Sequence, residues 1–231
     1  MRLIVILSFS ILCGQSWIDY LHSPIKWTVG LTNGYDNNVL KLSSVEKKDA
    51  ALEGDILGGA DTFDSHYTRF SMSGLKKIQL AERKKQIQFY AKGNISNYTQ
   101  NENRRYWSGN LKATYHWGSY RKLEYSIRHL DSYYIRHYID RDVSTNELAS
   151  CSFTDREQRI LVSYPIKRRL WTSGFVSYTQ RYFDKPFTEF DLDILTTALK
   201  ISKKFRCFVT IAIEGKYCMS DNITFRKTAK A

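Results

Sequence analysis

The 231-residue sequence has only 3 prolines, and beyond its N-terminal residues it has no long apolar run. A membrane-spanning helix needs about 18 or more consecutive apolar residues, so no such helix is predicted there. Disorder is not indicated either, because Tyr (16), Phe (12) and Trp (5) are plentiful and disordered chains are poor in aromatic residues. The length fits a single domain, and its many aromatic side chains call for an explanation.

Motifs for catalysis and cofactor binding are absent as well. The chain contains no G-x-S-x-G elbow, H-E-x-x-H helix, P-loop or dinucleotide fingerprint, the patterns that would place a nucleophile, a metal or a phosphate. His129, Asp131 and Ser132 offer a hydrolase-like grouping without a placed nucleophile. The sequence therefore predicts no cofactor, no metal and no catalytic residue, and it does not favour an enzyme.

Residues 1–16 have one cation, an apolar run from Leu3 to Leu12, and small residues Gly14 and Ser16 before a cleavage point. This layout predicts a secretory signal peptide cleaved before Trp17, leaving residues 17–231 as one domain. A buried N-terminal strand or short helix is the alternative.

The chain has a net charge of +12. Export disfavours nucleic acid as the partner of this charge, and an anionic lipid or glycan surface becomes the more natural partner.

Cysteine is sparse in the predicted mature chain and lacks the close paired spacing of a zinc site. Cys151, Cys207 and Cys218 are an odd set. A bridge between Cys207 and Cys218 is conceivable, but ordinary packing is the favoured interpretation.

Apolar and polar residues alternate in segment after segment, which is typical of strands with two different faces. In the first segment Ile25, Trp27, Val29 and Leu31 share one face. The same alternation recurs at 86–96, 105–117, 122–128, 160–166, 189–194 and 205–216, and less cleanly at 66–80 and 170–183. A tenth strand is predicted from about Ile223.

The connections between these segments alternate in length. Short basic turns at 82–85, 118–122, 167–169 and 203–204 take turns with more variable connections at 36–65, 97–104, 134–156, 184–187 and 219–222. Transmembrane barrels have short periplasmic turns and longer extracellular loops. The sequence therefore predicts an all-β, up-and-down antiparallel transmembrane β-barrel of about ten strands, with long extracellular loops near 36–65 and 134–156.

If the apolar faces contact lipid, the polar faces line the barrel interior. Both charge signs are then expected inside, as a packed ion-pair network or a narrow polar pore, and a mostly filled interior is favoured at this strand number. The predicted interior residues are Lys92, Lys112, Glu124, Arg128, Glu189, Asp191, Asp193, Arg206, Glu214 and Lys216.

Aromatic residues cluster near the strand ends, where amphipathic rings would form two interfacial girdles. The girdle residues are Tyr106, Trp107, Trp117, Tyr120, Tyr133, Tyr134, Trp171, Tyr182 and Phe183. In one dense segment, Tyr134, Arg136, His137 and Arg141 could bind a glycan, a lipopolysaccharide or a peptide at the surface. A solvated loop with a strand end is the favoured alternative for that segment.

The segment Leu31–Leu42, with the sequence LTNGYDNNVLKL, resembles the opening strand and loop of bacterial outer-membrane barrels that begin with a G-Y-D-x-N-type stretch. The resemblance implies location in the outer membrane of a Gram-negative bacterium, with outer-membrane lipid, lipopolysaccharide and the barrel-assembly machinery as partners. Such barrels often end on an aromatic residue, whereas this chain ends Phe225–Ala231. We therefore expect either a nonstandard ending or further strands in a longer chain.

Two functions follow from these patterns. The first is an integral outer-membrane barrel that acts as a narrow porin-like channel or as a structural, surface-binding barrel. The second is a soluble secreted β-barrel that binds a ligand inside, and an outer-membrane lipid-modifying enzyme is a weaker alternative. Alternation alone does not tell which face is buried, but strand length, alternating loop lengths and paired aromatic girdles favour the membrane barrel.

Overall fold

The structure, a computed structural model, describes residues 23–50, 57–80, 85–140, 148–205 and 209–224. These residues form one antiparallel sheet of nine strands, in which each strand pairs with its neighbours in the sequence. The strands are β1 (Lys26–Asp36), β2 (Ser65–Gln79), β3 (Gln86–Tyr98), β4 (Tyr106–Gly118), β5 (Arg121–Ile139), β6 (Leu148–Lys167), β7 (Leu170–Phe183), β8 (Leu192–Lys204) and β9 (Thr210–Asn222). The predicted all-β, up-and-down meander is confirmed.

The hairpin connections lie at two ends of the sheet. At one end, called the turn end, Ser119-Tyr120 and Arg168-Arg169 form two-residue turns, and the connections near 80–85 and 205–209 are also short. At the other end, called the loop end, the connections cover 37–64, 99–105, 140–147 and 184–191. The predicted alternation of short and long connections is therefore present in the fold.

The sheet is not closed into a barrel, because β1 and β9 each pair on one side only. In a meander, odd-numbered strands run in the same direction, so β1 and β9 cannot pair antiparallel with each other. The predicted tenth strand does not start at Ile223, since Ile223 and Thr224 are helical. Residues 225–231 and the predicted signal peptide, 1–16, lie outside the described residues.

The predicted long loop at 134–156 is mostly strand. β5 continues to Ile139 and β6 begins at Leu148, so these are the two longest strands of the sheet. Register shifts within Leu130–Tyr133 and Tyr134–Arg136 mark bulges in β5. A bulge adds a residue and breaks the simple two-residue alternation, so the pattern looked like a loop.

The register assigns every ladder residue to one of two faces. The apolar face carries Trp27, Leu111, Ile127 and Leu199, and the polar face carries the alternate residues such as Glu124. The large side chains of the apolar face are exposed, Leu111 by 59% and Ile213 by 76%, whereas small polar side chains of the other face are buried. The buried ones include Ser96, Thr114, Ser163, Ser177 and Thr196. This burial indicates that the sheet curls toward its polar face.

Among the residues that the structure describes, buried large apolar side chains lie only at the loop end. Leu40, Leu42, Leu57 and Tyr134 form a buried cluster there. The α-helix of the described residues, α1 (Ser44–Ala50), belongs to the same loop region. Among the described residues no helix is long and apolar enough to cross a bilayer.

Candidate functional site

The polar face carries ion pairs that run across neighbouring strands. Glu124 of β5 lies between Lys112 and Lys122, with nitrogen–oxygen distances of 3.2 and 3.1 Å. Arg128 pairs with Glu157 of β6 at 2.7 Å. The Lys112–Glu124 and Arg128–Glu157 pairs join residues that are diagonal or opposite in the antiparallel ladder, where cross-strand side chains lie closest. Lys122 and Glu124 are two residues apart on β5 and share its polar face. The middle of the polar face is therefore partly filled by paired charges.

A second pair lies nearer the loop end. Arg181 of β7 binds both carboxylate oxygens of Asp155, through Nε at 2.8 Å and Nη2 at 3.0 Å. The Asp155 side chain is 6% exposed, whereas that of Arg181 is 31% exposed. Such two-point contacts between a guanidinium and a carboxylate are among the strong hydrogen bonds in proteins. This pair fixes the register of β6 and β7 at the loop end.

Next to this pair, aromatic rings of successive strands form a continuous row, which we call the aromatic layer. It consists of Tyr106, Tyr133, Phe153 and Phe183, with successive ring centroids 4.9, 5.4 and 5.7 Å apart. Two guanidinium groups lie on it: Arg104 is 4.0 Å from the centre of the Tyr133 ring and Arg181 is 4.1 Å from that of Phe153. These are cation–π distances. The layer therefore places bulky aromatic and guanidinium groups on the polar face at the loop end.

The aromatic layer corrects part of the girdle prediction. Trp107 and Tyr182 lie on the apolar face at the loop end, as girdle residues would. Tyr106, Tyr133, Phe183 and Trp171 instead lie on the polar face, opposite Ser96, Phe153, Phe153 and Ser202 respectively. Tyr134 is buried in the loop cluster. The position of an aromatic residue near a strand end does not tell whether its ring lies on the apolar or the polar face. Bulky side chains occur on both faces where the sheet meets its loops.

The remaining girdle residues lie at the turn end. Tyr120 stacks on Trp171 with ring centroids 4.5 Å apart, and Tyr115 stacks on Trp117 at 5.5 Å. Arg121 lies 5.1 Å from the centre of the Tyr164 ring. The stack on Trp171 lies toward the polar face, whereas Tyr115 and the Arg121–Tyr164 contact place aromatic and basic side chains at this end of the apolar face.

Six of the ten residues predicted for the interior lie on the polar face in the ladder. They are Lys92, Lys112, Glu124, Arg128, Glu214 and Lys216. Glu214 and Lys216 are on the edge strand β9, where Glu214 approaches Lys200 at 3.8 Å. Arg206 lies outside the described residues.

The other three predicted interior residues are misplaced by the sequence analysis. Glu189 belongs to the short 3-10 turn Thr188–Phe190. Asp191 precedes β8 and accepts a hydrogen bond from the backbone nitrogen of Phe183 at 2.7 Å. Asp193 lies on the apolar face and accepts a hydrogen bond from Tyr178 Oη at 2.7 Å. In β8 the odd-numbered residues Leu195, Leu199 and Ile201 lie on the apolar face. The pattern at 189–194 predicts the opposite, with the odd-numbered residues on the polar face.

The predicted surface-binding residues hold the protein's own loop instead. The hydroxyl of Tyr134, a residue 2% exposed, lies 2.6 Å from Nδ1 of His137. A Cβ placed on Gly58 would lie 2.1 Å from that same Nδ1, so the loop approaches His137 where only glycine fits. Arg136 pairs with Glu46 of α1 at 2.8 Å and lies 4.7 Å from the centre of the Tyr138 ring. Arg141 lies outside the described residues.

Helix α1 is capped by its own sequence. The backbone nitrogen of Ser43 donates to Glu46 at 2.8 Å, and that of Glu46 donates to Ser43 Oγ at 3.3 Å, the reciprocal capping box. The hydrogen bonds from Ser43 and the charge of Arg136 hold the pKa of the Glu46 carboxyl below its usual range. The contact between α1 and β5 is therefore present at neutral pH.

The G-Y-D-x-N stretch forms the turn that starts this loop. The ring of Tyr67 lies over Gly34, where a Cβ would come within 2.6 Å of it. Asp36 accepts a hydrogen bond from the backbone nitrogen of Asn38 at 3.0 Å. The Asn38 amide bonds both the nitrogen and the oxygen of Leu42, each at 2.8 Å. The motif residues thus fold the chain back onto the loop cluster.

We expect Asn38→Ala to loosen the loop by about 1–3 kcal/mol, because it leaves the buried backbone groups of Leu42 without partners. Hydrogen exchange at Leu40 and Leu42 would measure this, and Asn37→Ala at the exposed neighbouring position is the matched control. Equal protection in the two variants would contradict this role.

The grouping of His129, Asp131 and Ser132 does not form a hydrolytic site. His129 Nε2 is 3.6 Å from Asp131 Oδ1, and the imidazole packs 4.8 Å from the ring of Trp107 on the apolar face. Ser132 has a positive φ of 46°, and its backbone nitrogen donates to Thr154. Within the described residues no cluster of metal-ligating side chains occurs.

No protein-family model, curated protein or solved structure matches this chain. The geometry above is therefore the basis on which a function can be assigned. That geometry includes residues which the sequence analysis missed, namely Arg104, Phe153, Asp155 and Arg181. The alternation of Cys151, Phe153 and Asp155 could have indicated a strand there, but the segment was interpreted as loop.

The two described cysteines are on the polar face and unbridged. Cys151 of β6 is buried and Cys218 of the edge strand β9 is exposed. Cys207 lies outside the described residues, so the choice between a bridge to Cys218 and the favoured ordinary packing is not tested.

Proposed function

We propose that this sheet belongs to an integral outer-membrane β-barrel, with the apolar face toward lipid and the polar face lining a narrow interior. The observation that carries the proposal is the inverted burial: large apolar side chains are exposed while small polar ones are buried. A soluble protein rarely exposes a contiguous apolar surface of this extent. The soluble secreted barrel is therefore disfavoured.

The dimensions of the apolar face support this proposal. On β9 the apolar face runs from Ile211 to Met219 without a charge. At about 3.4 Å per residue this spans roughly 27 Å along the strand, and roughly 20 Å at the usual tilt of barrel strands, close to the ~25 Å apolar band of outer-membrane barrels. The charged residues of this face, such as Lys76, Arg156 and Lys203, lie toward its two ends.

Closure is part of the proposal. Unpaired backbone groups on β1 and β9 could not remain in hydrocarbon, where each costs several kcal/mol. Antiparallel closure requires at least one further strand between β9 and β1, which gives the even strand number of bacterial barrels. The loops at 37–64 and 184–191 would then be extracellular and the basic turns periplasmic. Outer-membrane lipid, lipopolysaccharide and the assembly machinery are the proposed partners.

Membrane fractionation followed by electrophoresis of heated and unheated samples tests the proposal. We expect the protein in the outer-membrane fraction, with different migration before and after boiling, because a folded barrel resists detergent until heated. Recovery of folded protein wholly in the soluble fraction would contradict the membrane assignment and restore the soluble alternative.

A further inference from the structure

The polar face carries far more positive than negative charge. Within the paired ladder it has thirteen cationic side chains against five carboxylates. The cations are Lys26, Arg69, Lys77, Lys92, Lys112, Lys122, Arg128, Arg136, Arg159, Arg181, Lys200, Lys204 and Lys216, and the carboxylates are Asp36, Glu124, Asp155, Glu157 and Glu214. The ion pairs on this face therefore do not neutralise it.

Several cations of the polar face have no carboxylate partner among the described residues. The ion pairs occupy Lys112, Lys122, Arg128, Arg136, Arg181 and Lys200. Lys77, Lys92, Arg159 and Lys216 form no ion pair with any described carboxylate, although they lie on the same face. The charges of these four side chains are therefore not neutralised by a carboxylate of the described residues and can attract a mobile anion.

Arg159 gives the clearest indication of a ligand. Its guanidinium lies over the ring of Phe175 at 3.7 Å, and its Nε is buried without a hydrogen-bond partner in the described part of the chain. A buried donor left unsatisfied costs about 1–3 kcal/mol, so such groups usually have a ligand, water or ion as partner. Ser126 and Ser177, the ladder neighbours of Arg159, add hydroxyl groups of the kind that solvate an anion.

From this charge distribution we infer that the barrel interior is a pathway for small anions, with Lys77, Lys92, Arg159 and Lys216 as its selectivity-determining residues. This inference rests on the proposed membrane barrel and names the class of substrate that it passes. Rings of Arg and Lys select anions in membrane pores, because a low-dielectric wall focuses their field. The aromatic layer and the paired charges keep the pathway narrow, which excludes large solutes.

The test is the zero-current potential of the purified full chain in a planar bilayer under a potassium chloride gradient. We expect the sign that corresponds to chloride permeating faster than potassium. The preference should weaken between about 0.1 M and 1 M salt, because the screening length falls from about 10 Å to about 3 Å.

Two double variants, one on each face of the sheet, test whether the lysines of the polar face determine the chloride preference. Lys77→Gln/Lys92→Gln removes two charges from the polar face, and Lys76→Gln/Lys203→Gln removes two from the apolar face. We expect the first variant to lose most of the chloride preference and the second to keep it. Lys216→Gln tests a third strand, without disturbing the Arg159–Phe175 contact.

The outcomes separate this inference from the barrel proposal. A heat-modifiable membrane protein with no conductance, with a potassium preference, or with equal selectivity in both double variants would overturn the anion pathway and leave the barrel standing. A protein found only in the soluble fraction would overturn both.

Discussion

Leu111→Arg should destabilise the folded protein in lipid by about 2–4 kcal/mol, the cost of an arginine near the midplane on the outside of a membrane barrel. Leu111 is central on the apolar face, between Ala91 of β3 and Ile127 of β5, and is 59% exposed. In water an arginine at so exposed a position would cost little. The large expected effect therefore comes from the bilayer and not from lost packing.

The measurement is the free energy of unfolding by denaturant in lipid vesicles. Ile78→Arg, on the same face beside the turn end of β2, is the matched control. It should cost about 0–1 kcal/mol, because the penalty falls toward the interface. Intact folding of Leu111→Arg in detergent-free buffer would contradict a lipid-facing position.

Arg181→Met should destabilise the protein by about 3 kcal/mol, because it leaves the Asp155 carboxylate buried without its partner. The value is at the low end of the range for buried pairs since Arg181 is 31% exposed. The variant also loses the contact between the guanidinium and the ring of Phe153. The same denaturant unfolding in vesicles measures this effect.

The double variant Asp155→Leu/Arg181→Met is the control for the charge effect. We expect it to recover much of the lost stability, since replacing both members of a buried pair by apolar residues is often neutral. A double variant as unstable as the sum of the two single variants would show that the pair contributes through something other than mutual neutralisation.

The strands could be predicted from the sequence because one face of each is apolar. The alternation of Trp27, Val29 and Leu31, or of Leu123, Tyr125 and Ile127, gives both the strand and its phase. The short turns were also predictable, since basic and turn-forming residues interrupt the alternation at 118–122 and 167–169.

The prediction failed where the local pattern no longer reports the face. Two bulges in β5 hide the strand through Tyr133 and Arg136, so the pattern there favours a solvated loop, or a surface site, although Arg136 binds the 37–64 loop through Glu46. At 189–194, a short turn precedes β8, and Asp193 lies on the apolar face and not on the predicted polar face. The aromatic layer was not predictable, because its rings come from different strands and meet only through the register.

Which face is buried could not be read from alternation at all. An apolar stripe looks the same in sequence whether it packs in a soluble core or faces lipid. The exposure of Leu111 and Ile213, together with the burial of Thr114 and Ser177, indicates which face is inside. The charge excess on the polar face became visible only once the register had assigned each side chain to a face.

The central claim is that the apolar face contacts lipid while the polar face contacts water, and adjacent residues of β4 test it most directly. Nitroxide labels at Leu111 and at Lys112, each in a background with the cysteines replaced, would be compared for collision with oxygen and with a water-soluble nickel complex in lipid vesicles. We expect the label at 111 to collide mainly with oxygen and the label at 112 mainly with the nickel complex. Two labels equally accessible to the nickel complex would contradict the claim.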